Sequence, residues 1–148
     1  MKIKNELLQA CYNYANKRIA NYKAEIETIK ESIESNDKGG DEDDDSGNGK
    51  LFNDLEKNSQ HLSEANKMLD GLKNINANTV SEKVIAGSVV KTTNNNFFIS
   101  ISAGKIDLED SSFFAISHLS PIGMLLLGKG KGDTIEFNGN TFTITEVI

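Results

Sequence analysis

Two apolar stripes at helical spacing, separated by a glycine-rich acidic segment, constrain the N-terminal half of this chain most strongly. The first stripe comprises Leu8, Cys11, Ala15, Ile19, Tyr22, Ile26, Ile29 and Ile33, and the second comprises Leu51, Leu55, Leu62, Ala65, Leu69 and Leu72. Apolar residues spaced by three or four, with polar residues on the opposite face, are typical of amphipathic helices. Neither helix is stable alone in water, but two antiparallel helices bury each other's stripes. The pattern predicts an antiparallel coiled-coil hairpin over residues 1–76.

The segment between the stripes carries five adjacent carboxylates, at Asp41, Glu42, Asp43, Asp44 and Asp45. We expect a loop over residues 36–49, which is longer than the usual link of roughly two to eight residues between helices. Adjacent like charges repel each other. The run is therefore either a solvated loop or a site for a metal ion or a positive surface. An EF-hand is excluded, because Ser46 replaces the required glycine and Phe52 replaces the bidentate glutamate.

After residue 78 the pattern changes to strands, and residues 82–148 predict a small sheet domain with one short helix. Predicted strands cover residues 87–92, 97–102, 112–117, 134–137 and 141–145. Asn138-Gly139 is a strong two-residue hairpin signal between the last two strands. Ser120 suits the cap of a helix over residues 121–127, Pro121 its first turn and Gly128 its end. The fold class expected for the whole chain is α+β.

Charge and cysteine content limit the functions open to the chain. The net charge is −6 over 148 residues, and no basic patch stands out. Autonomous binding to DNA is therefore not expected, because it needs Lys and Arg to neutralise phosphates. The single cysteine, Cys11, cannot form an internal disulfide and is expected in the core. The longest apolar run, residues 124–127, is too short to span a membrane, and residues 1–6 lack an apolar signal segment. We expect a soluble, cytoplasmic monomer.

Two other motifs have ordinary structural interpretations. The glycine-rich run at residues 128–132 follows the predicted helix, whereas the glycines of a P-loop precede one, so it is interpreted as a helix stop and turn. His61 and His118 have no nearby cysteine or histidine at metal-ligand spacing, so packing or surface roles are expected for both.

Residues 116–133 read Ile-Ser-His-Leu-Ser-Pro-Ile-Gly-Met-Leu-Leu-Leu-Gly-Lys-Gly-Lys-Gly-Asp. This string resembles the Ser-Pro-Ile-Gly-x-x-Leu-Leu-Gly-Lys-x-x-Gly-Asp segment of Gre-type transcript-cleavage factors. The resemblance implies an FKBP-like C-terminal domain after a coiled coil with an acidic tip. It also implies a transcription elongation factor that binds bacterial RNA polymerase. In that family the coiled coil enters the secondary channel, and the polymerase then cleaves its own backtracked RNA. Such a factor is not an enzyme by itself.

The resemblance also implies roles for particular residues. The tip carboxylates would help to hold Mg²⁺ in the polymerase complex only, with no cofactor bound stably by the factor alone. The family tip has an Asp followed three residues later by a Glu. Alignment on Gly40 places Asp41 and Asp44 at these positions, whereas alignment on the second helix places Asp44 and Gly47 there. The resemblance further assigns a polymerase contact to the neighbourhood of Ser120, Pro121 and Ile122.

Three alternatives stay open. An Asp-rich tip also resembles Gre paralogues that occupy the same channel and inhibit the polymerase. A stand-alone prolyl isomerase is suggested by the FKBP-like fold alone. It would need an aromatic-lined pocket, whereas the chain has no Trp and its phenylalanines sit mostly at expected core positions. The third alternative is a chaperone-like adaptor.

Overall fold

The computed structural model of the protein describes residues 2–38 and 45–148. Two long helices, α1 (Lys2–Lys38) and α2 (Asp45–Lys73), precede the strands and a short third helix. These elements are β1 (Val89–Thr92), β2 (Asn96–Ile99), β3 (Gly104–Asp107), β4 (Ser112–Ile116), α3 (Pro121–Leu126), β5 (Thr134–Phe137) and β6 (Asn140–Val147). The predicted α+β architecture, a helical hairpin followed by a sheet domain with one short helix, is confirmed. Neither long helix has, within its described residues, an apolar stretch sufficient to cross a bilayer.

The chain divides by its internal contacts into two compact units. One unit is Ala15–Leu69, and the other combines Met1–Tyr14 with Asp70–Ile148. The start of α1 is therefore part of the unit that contains the sheet. The sequence-based division into domains 1–76 and 82–148 stays a prediction about independent folding.

Within the first unit, α1 and α2 pair in antiparallel orientation. The Nδ2 atom of Asn36, near the end of α1, donates to the Oδ1 atom of Asn48, near the start of α2, at 3.1 Å. Closer to the middle, the rings of Tyr22 and His61 stack with centroids 5.4 Å apart. The helix α2 begins at Asp45 rather than at residue 50, so part of the predicted loop 36–49 is helical. Residues 41–44 of the acidic run lie outside the described residues.

The second unit contains a six-stranded sheet with the order β3-β4-β2-β1-β6-β5. Neighbours are antiparallel except for β2 and β4, which are parallel. The hairpin between β5 and β6 turns at Asn138 and Gly139, whose φ angles are 52° and 79°. Positive φ at both central residues is the type I′ geometry that the Asn-Gly pair predicted. Strand β3 was not predicted, because its sequence contains a single apolar residue, Ile106.

Buried apolar side chains lie on both faces of the sheet. On one face, α3 contributes Leu126 to a core that also contains Val84, Val90, Phe97, Ile99, Ile135, Phe142 and Ile144. On the opposite face, alternation along the strands places the buried side chains of Val89, Phe98, Phe113 and Ala115. The start of α1 contributes Leu7 and Cys11, which are fully buried. The predicted core position of Cys11 is confirmed, whereas the stripe of α1 passes through Leu7 instead of Leu8 at this end.

Candidate functional site

The family-like string folds into the turn that starts α3. The Oγ atom of Ser120 accepts a hydrogen bond from the N–H of Gly123 at 3.1 Å and donates to the carbonyl oxygen of Ser117 at 2.6 Å. Pro121 occupies the first turn, where its missing N–H costs nothing. Gly128 follows the helix with a φ of 81°, as expected of a residue that ends one. The predicted cap, first turn and stop of this helix are all confirmed.

Gly123 is required by this turn. A Cβ atom built on Gly123 would lie 2.1 Å from the carbonyl oxygen of Ser117 and 2.8 Å from the Oγ atom of Ser120. Any side chain would therefore displace the backbone that the cap holds in place. The Ser-Pro-Ile-Gly part of the string thus has a local structural explanation, since it fixes how α3 leaves the sheet.

Four exposed apolar side chains lie on α3 and on the residues that flank it. We use the name α3 patch for the side chains of Leu119, Met124, Leu125 and Leu127, whose exposed fractions are 72%, 64%, 40% and 43%. Only seven large apolar side chains in the described part of the chain are this exposed, and these four lie together in sequence. Leu126, between them, is fully buried. Exposed apolar residues that cluster mark sites of protein interaction more often than isolated ones do.

The three residues predicted to contact a polymerase have different environments. Ser120 is half-buried and its hydroxyl is used within the cap. Ile122 is half-buried and packs against the core. Pro121 alone is exposed. The α3 patch was missed by sequence reasoning, although a signal existed: a helix as short as α3 buries one face, so the run at residues 124–127 must leave apolar side chains outside.

The predicted acidic site can be located only in part. Asp41, Glu42, Asp43 and Asp44 lie outside the described residues, and Asp45 is the first residue of α2. Elsewhere, residues 2–38 and 45–148 contain no group of three acidic, histidine or cysteine side chains arranged to hold a metal ion.

The glycine-rich run after α3 forms a turn in which the N–H groups of all three glycines are already used. The N–H of Gly128 donates to Val84 at 2.9 Å, and that of Gly132 donates to Ile144 at 2.8 Å. The N–H of Gly130 donates to the Oδ2 atom of Asp133 at 2.8 Å. These donors are not free to bind phosphate, which agrees with the predicted helix stop and turn.

A second surface feature is a hollow of about 280 Å³ on the face of the sheet that packs against α3. We call it the asparagine-rimmed pocket. It is lined by Phe97, Phe114, Ile116, Ile122, Phe137 and Phe142, with Asn94, Asn95, Asn138 and Asn140. The phenylalanines were expected in the core, and Phe97 and Phe142 are indeed each 5% exposed. The same rings also create an aromatic-lined pocket, which sequence reasoning had not expected.

Comparisons with known proteins identify similar solved structures only. No protein-family model and no curated protein matches the chain. It is similar to the transcription factor Gfh1, with 17% identity, 92% of each chain covered and a TM-score of 0.37. It is also similar to GreA factor homolog 1 (Gfh1) of Thermus thermophilus, with 18% identity and a TM-score of 0.35. That match covers 93% of this chain and 94% of the other. For Gfh1 of Thermus aquaticus the identity is 21%, 94% of each chain is covered and the TM-score is 0.34. Function therefore has to be inferred from the chain's own residues.

Proposed function

We propose that this protein is a Gre-type accessory factor of bacterial RNA polymerase. In this proposal the α3 patch docks on the polymerase, and the acidic run between α1 and α2 reaches the active site through the secondary channel. The observation that carries the proposal is that the family-like string and the exposed apolar patch occur in the same segment. Residues 116–133 carry the family-like string, and they also present the α3 patch.

The α3 patch has the properties of a docking surface. Its four side chains are apolar, and apolar side chains at the centre of an interface supply much of the binding energy when water is excluded. The cap by Ser120 and the tight packing of Gly123 hold α3 in one position before binding. A preformed surface loses less conformational entropy on binding than a mobile one.

The acidic run suits Mg²⁺ by its donor chemistry. Mg²⁺ prefers oxygen ligands and is commonly held by one or two carboxylates together with phosphates and water. Asp41 and Asp44 would hold the ion, aided by Glu42, Asp43 and Asp45, and the remaining ligands would come from the polymerase and the RNA. When bound, Mg²⁺ would supply charge stabilisation for phosphodiester cleavage. The isolated chain would supply only part of the ligand set, because phosphates and carboxylates of the polymerase would complete it. We therefore expect weak binding of Mg²⁺ to the isolated protein.

The same surfaces are compatible with two outcomes in the channel. Carboxylates that hold the ion productively would accelerate cleavage of backtracked RNA. Carboxylates that hold it unproductively, or that exclude substrate, would inhibit the polymerase. The two outcomes share the docking step and differ in whether RNA cleavage becomes faster or slower.

The docking step can be tested with the full chain and purified bacterial RNA polymerase. The variant Leu119→Ser/Met124→Ser/Leu125→Ser should bind the polymerase at least roughly tenfold more weakly, because three apolar contacts are lost. Val80→Ser is the matched control, since Val80 is 65% exposed but lies outside the α3 patch. Binding is measured by fluorescence anisotropy, and RNA cleavage is measured on backtracked complexes with and without each protein.

The proposal predicts that the wild type and Val80→Ser bind equally and alter cleavage equally. Equal binding by the triple variant would overturn the assignment of docking to the α3 patch. No binding by the folded wild type would overturn the proposed function itself.

A further inference from the structure

We propose that the asparagine-rimmed pocket binds an extended peptide segment by one uncharged, apolar side chain, while the rim asparagines hydrogen-bond the peptide backbone. This binding site goes beyond the proposed role on RNA polymerase and does not depend on it. The site lies entirely within the unit that contains the sheet.

The interior of the pocket sets the charge of the ligand. The rings of Phe114 and Phe142 each lie with their centroids 6.3 Å from that of Phe97, so three aromatic side chains are grouped in the pocket lining. No residue that lines the pocket is ionisable. A charged group would lose hydration there without meeting an oppositely charged side chain, which opposes its binding. An apolar, uncharged group gains by leaving water.

The rim supplies hydrogen-bonding groups that the protein does not use. Within the described residues, the side-chain amides of Asn94, Asn95, Asn138 and Asn140 make no hydrogen bond to the protein. Each amide offers two donors and one acceptor oxygen. A peptide backbone needs both kinds of partner, because every residue other than proline carries an N–H and a carbonyl. Four free amides around an apolar hollow therefore match an extended peptide.

The two turns that carry these asparagines are fixed. The Oγ1 atom of Thr92 accepts from the backbone N–H of Asn94 at 3.1 Å and of Asn95 at 3.0 Å. On the other side, Asn138 belongs to the type I′ turn, and Asn140 pairs with Phe137 at the start of β6. The rim is thus held in place before a ligand arrives, which lowers the entropy lost on binding.

The dimensions and the charge favour a peptide over other ligands. A volume of about 280 Å³ lies just below the range for small-molecule pockets, so a single side chain is the expected occupant. Nucleobases can also stack on aromatic rings and bond asparagine amides. A nucleic acid, however, brings phosphates, and no Lys or Arg lines the pocket to neutralise them.

The inference is tested by NMR on the full, isotope-labelled chain, with capped tripeptides Ac-Ala-Xaa-Ala-NH₂ as probes. Peptides with Leu or Phe in the centre should shift the side-chain amide signals of the four rim asparagines, with a dissociation constant of about 0.1–1 mM. Peptides with Asp or Lys in the centre should shift these signals at least roughly tenfold less at equal concentration, because of the desolvation cost of charge. Adenosine is tested in parallel.

The variant Asn95→Ala/Asn140→Ala removes two rim amides and leaves the aromatic floor. It should bind the Leu peptide roughly tenfold more weakly, since the hydrogen bonds from two of the four rim amides are lost. Asn66→Ala, an exposed asparagine on α2, is the matched control and should bind like the wild type. The proposal is overturned if no peptide shifts the rim amides of the wild type, if adenosine does so and the peptides do not, or if the double variant binds as tightly as the wild type.

Discussion

The Sγ atom of Cys11 lies 3.5 Å from the Oγ atom of Ser100, although 89 positions separate them in the chain. Ser100 follows β2, so this contact joins the start of α1 to the sheet within one compact unit. Burial raises the pKa of the Cys11 thiol, and the hydrogen bond with Ser100 opposes that rise only in part. The thiol is therefore protonated and shielded in the folded protein.

Cys11 should react with Ellman's reagent only when this region opens. An opening free energy of about 3 kcal/mol would slow the reaction roughly 100-fold relative to the urea-unfolded protein. The control is Gln9→Cys in a Cys11→Ala background, which places a thiol at an exposed position of the same helix. The control thiol should react at a similar rate in folded and unfolded protein. Rapid modification of Cys11 in the native wild type would contradict the buried contact.

Lys4 should make the free energy of unfolding depend on pH in the alkaline range. Its Nζ atom donates to the carbonyl oxygen of Thr79 at 2.7 Å, and the residue is buried. Desolvation lowers the pKa of Lys4 below its ordinary value of 10.5. Between the lowered pKa and 10.5 the unfolded chain binds more protons than the folded one, so this group adds stability as pH rises.

The measurement is the free energy of unfolding of the wild type and of Lys4→Met at several pH values from neutral to 10.5. The wild type should gain stability relative to Lys4→Met as the pH rises through this range. The variant Lys2→Met, at a side chain that is 90% exposed, controls for the loss of one positive charge. A constant difference between the wild type and Lys4→Met would refute the linkage.

Gly123→Ala should destabilise the protein, whereas Gly71→Ala should stabilise it. The new Cβ atom at position 123 would meet the Ser117 carbonyl oxygen at 2.1 Å, and relief of such overpacking costs about 1–3 kcal/mol or more. At position 71, within α2, no atom lies within 4 Å of the new Cβ, and replacing a helical glycine gains about 0.4–1 kcal/mol. Urea unfolding measures both. A neutral Gly123→Ala would show that the α3 turn tolerates a side chain.

Features encoded by neighbouring residues could be predicted from the sequence. The turn at Asn138 and Gly139, and the cap of α3 by Ser120, depend on residues within four positions of each other. Contacts set by the path of the chain could not be predicted. Helical periodicity places Cys11 on an apolar stripe, but it does not reveal that Ser100, which follows β2, lies 3.5 Å from its thiol.

The same limit applies to the candidate sites. The α3 patch was implicit in the run at residues 124–127, because a six-residue helix cannot bury all of it. The asparagine-rimmed pocket could not be predicted from the sequence, because it forms only where the turn after β1 and the turn after β5 meet on one face of the sheet. Alternation identifies Phe97 and Phe142 as inward-facing, but it does not determine how completely neighbouring side chains fill the space between them.

Neutralising the acidic run should remove the effect on RNA cleavage and preserve binding to the polymerase. The variant carries Asp41→Asn, Glu42→Gln, Asp43→Asn, Asp44→Asn and Asp45→Asn. Its folding should be largely unchanged, and relief of repulsion among five adjacent carboxylates favours the hairpin. Because the charged oxygen ligands are gone, a cleavage assay on backtracked complexes should show the rate of the polymerase alone.

The matched control neutralises five exposed carboxylates elsewhere on α1 and α2, at Glu25, Glu27, Glu31, Glu56 and Asp70. It changes the net charge equally, so an effect that depends only on total charge would appear in both variants. The control should alter cleavage as the wild type does. Faster cleavage with the wild type than without it supports an activator, and slower cleavage supports an inhibitor. If the variant with the neutralised acidic run changes cleavage as strongly as the wild type, the carboxylates are responsible for neither activation nor inhibition.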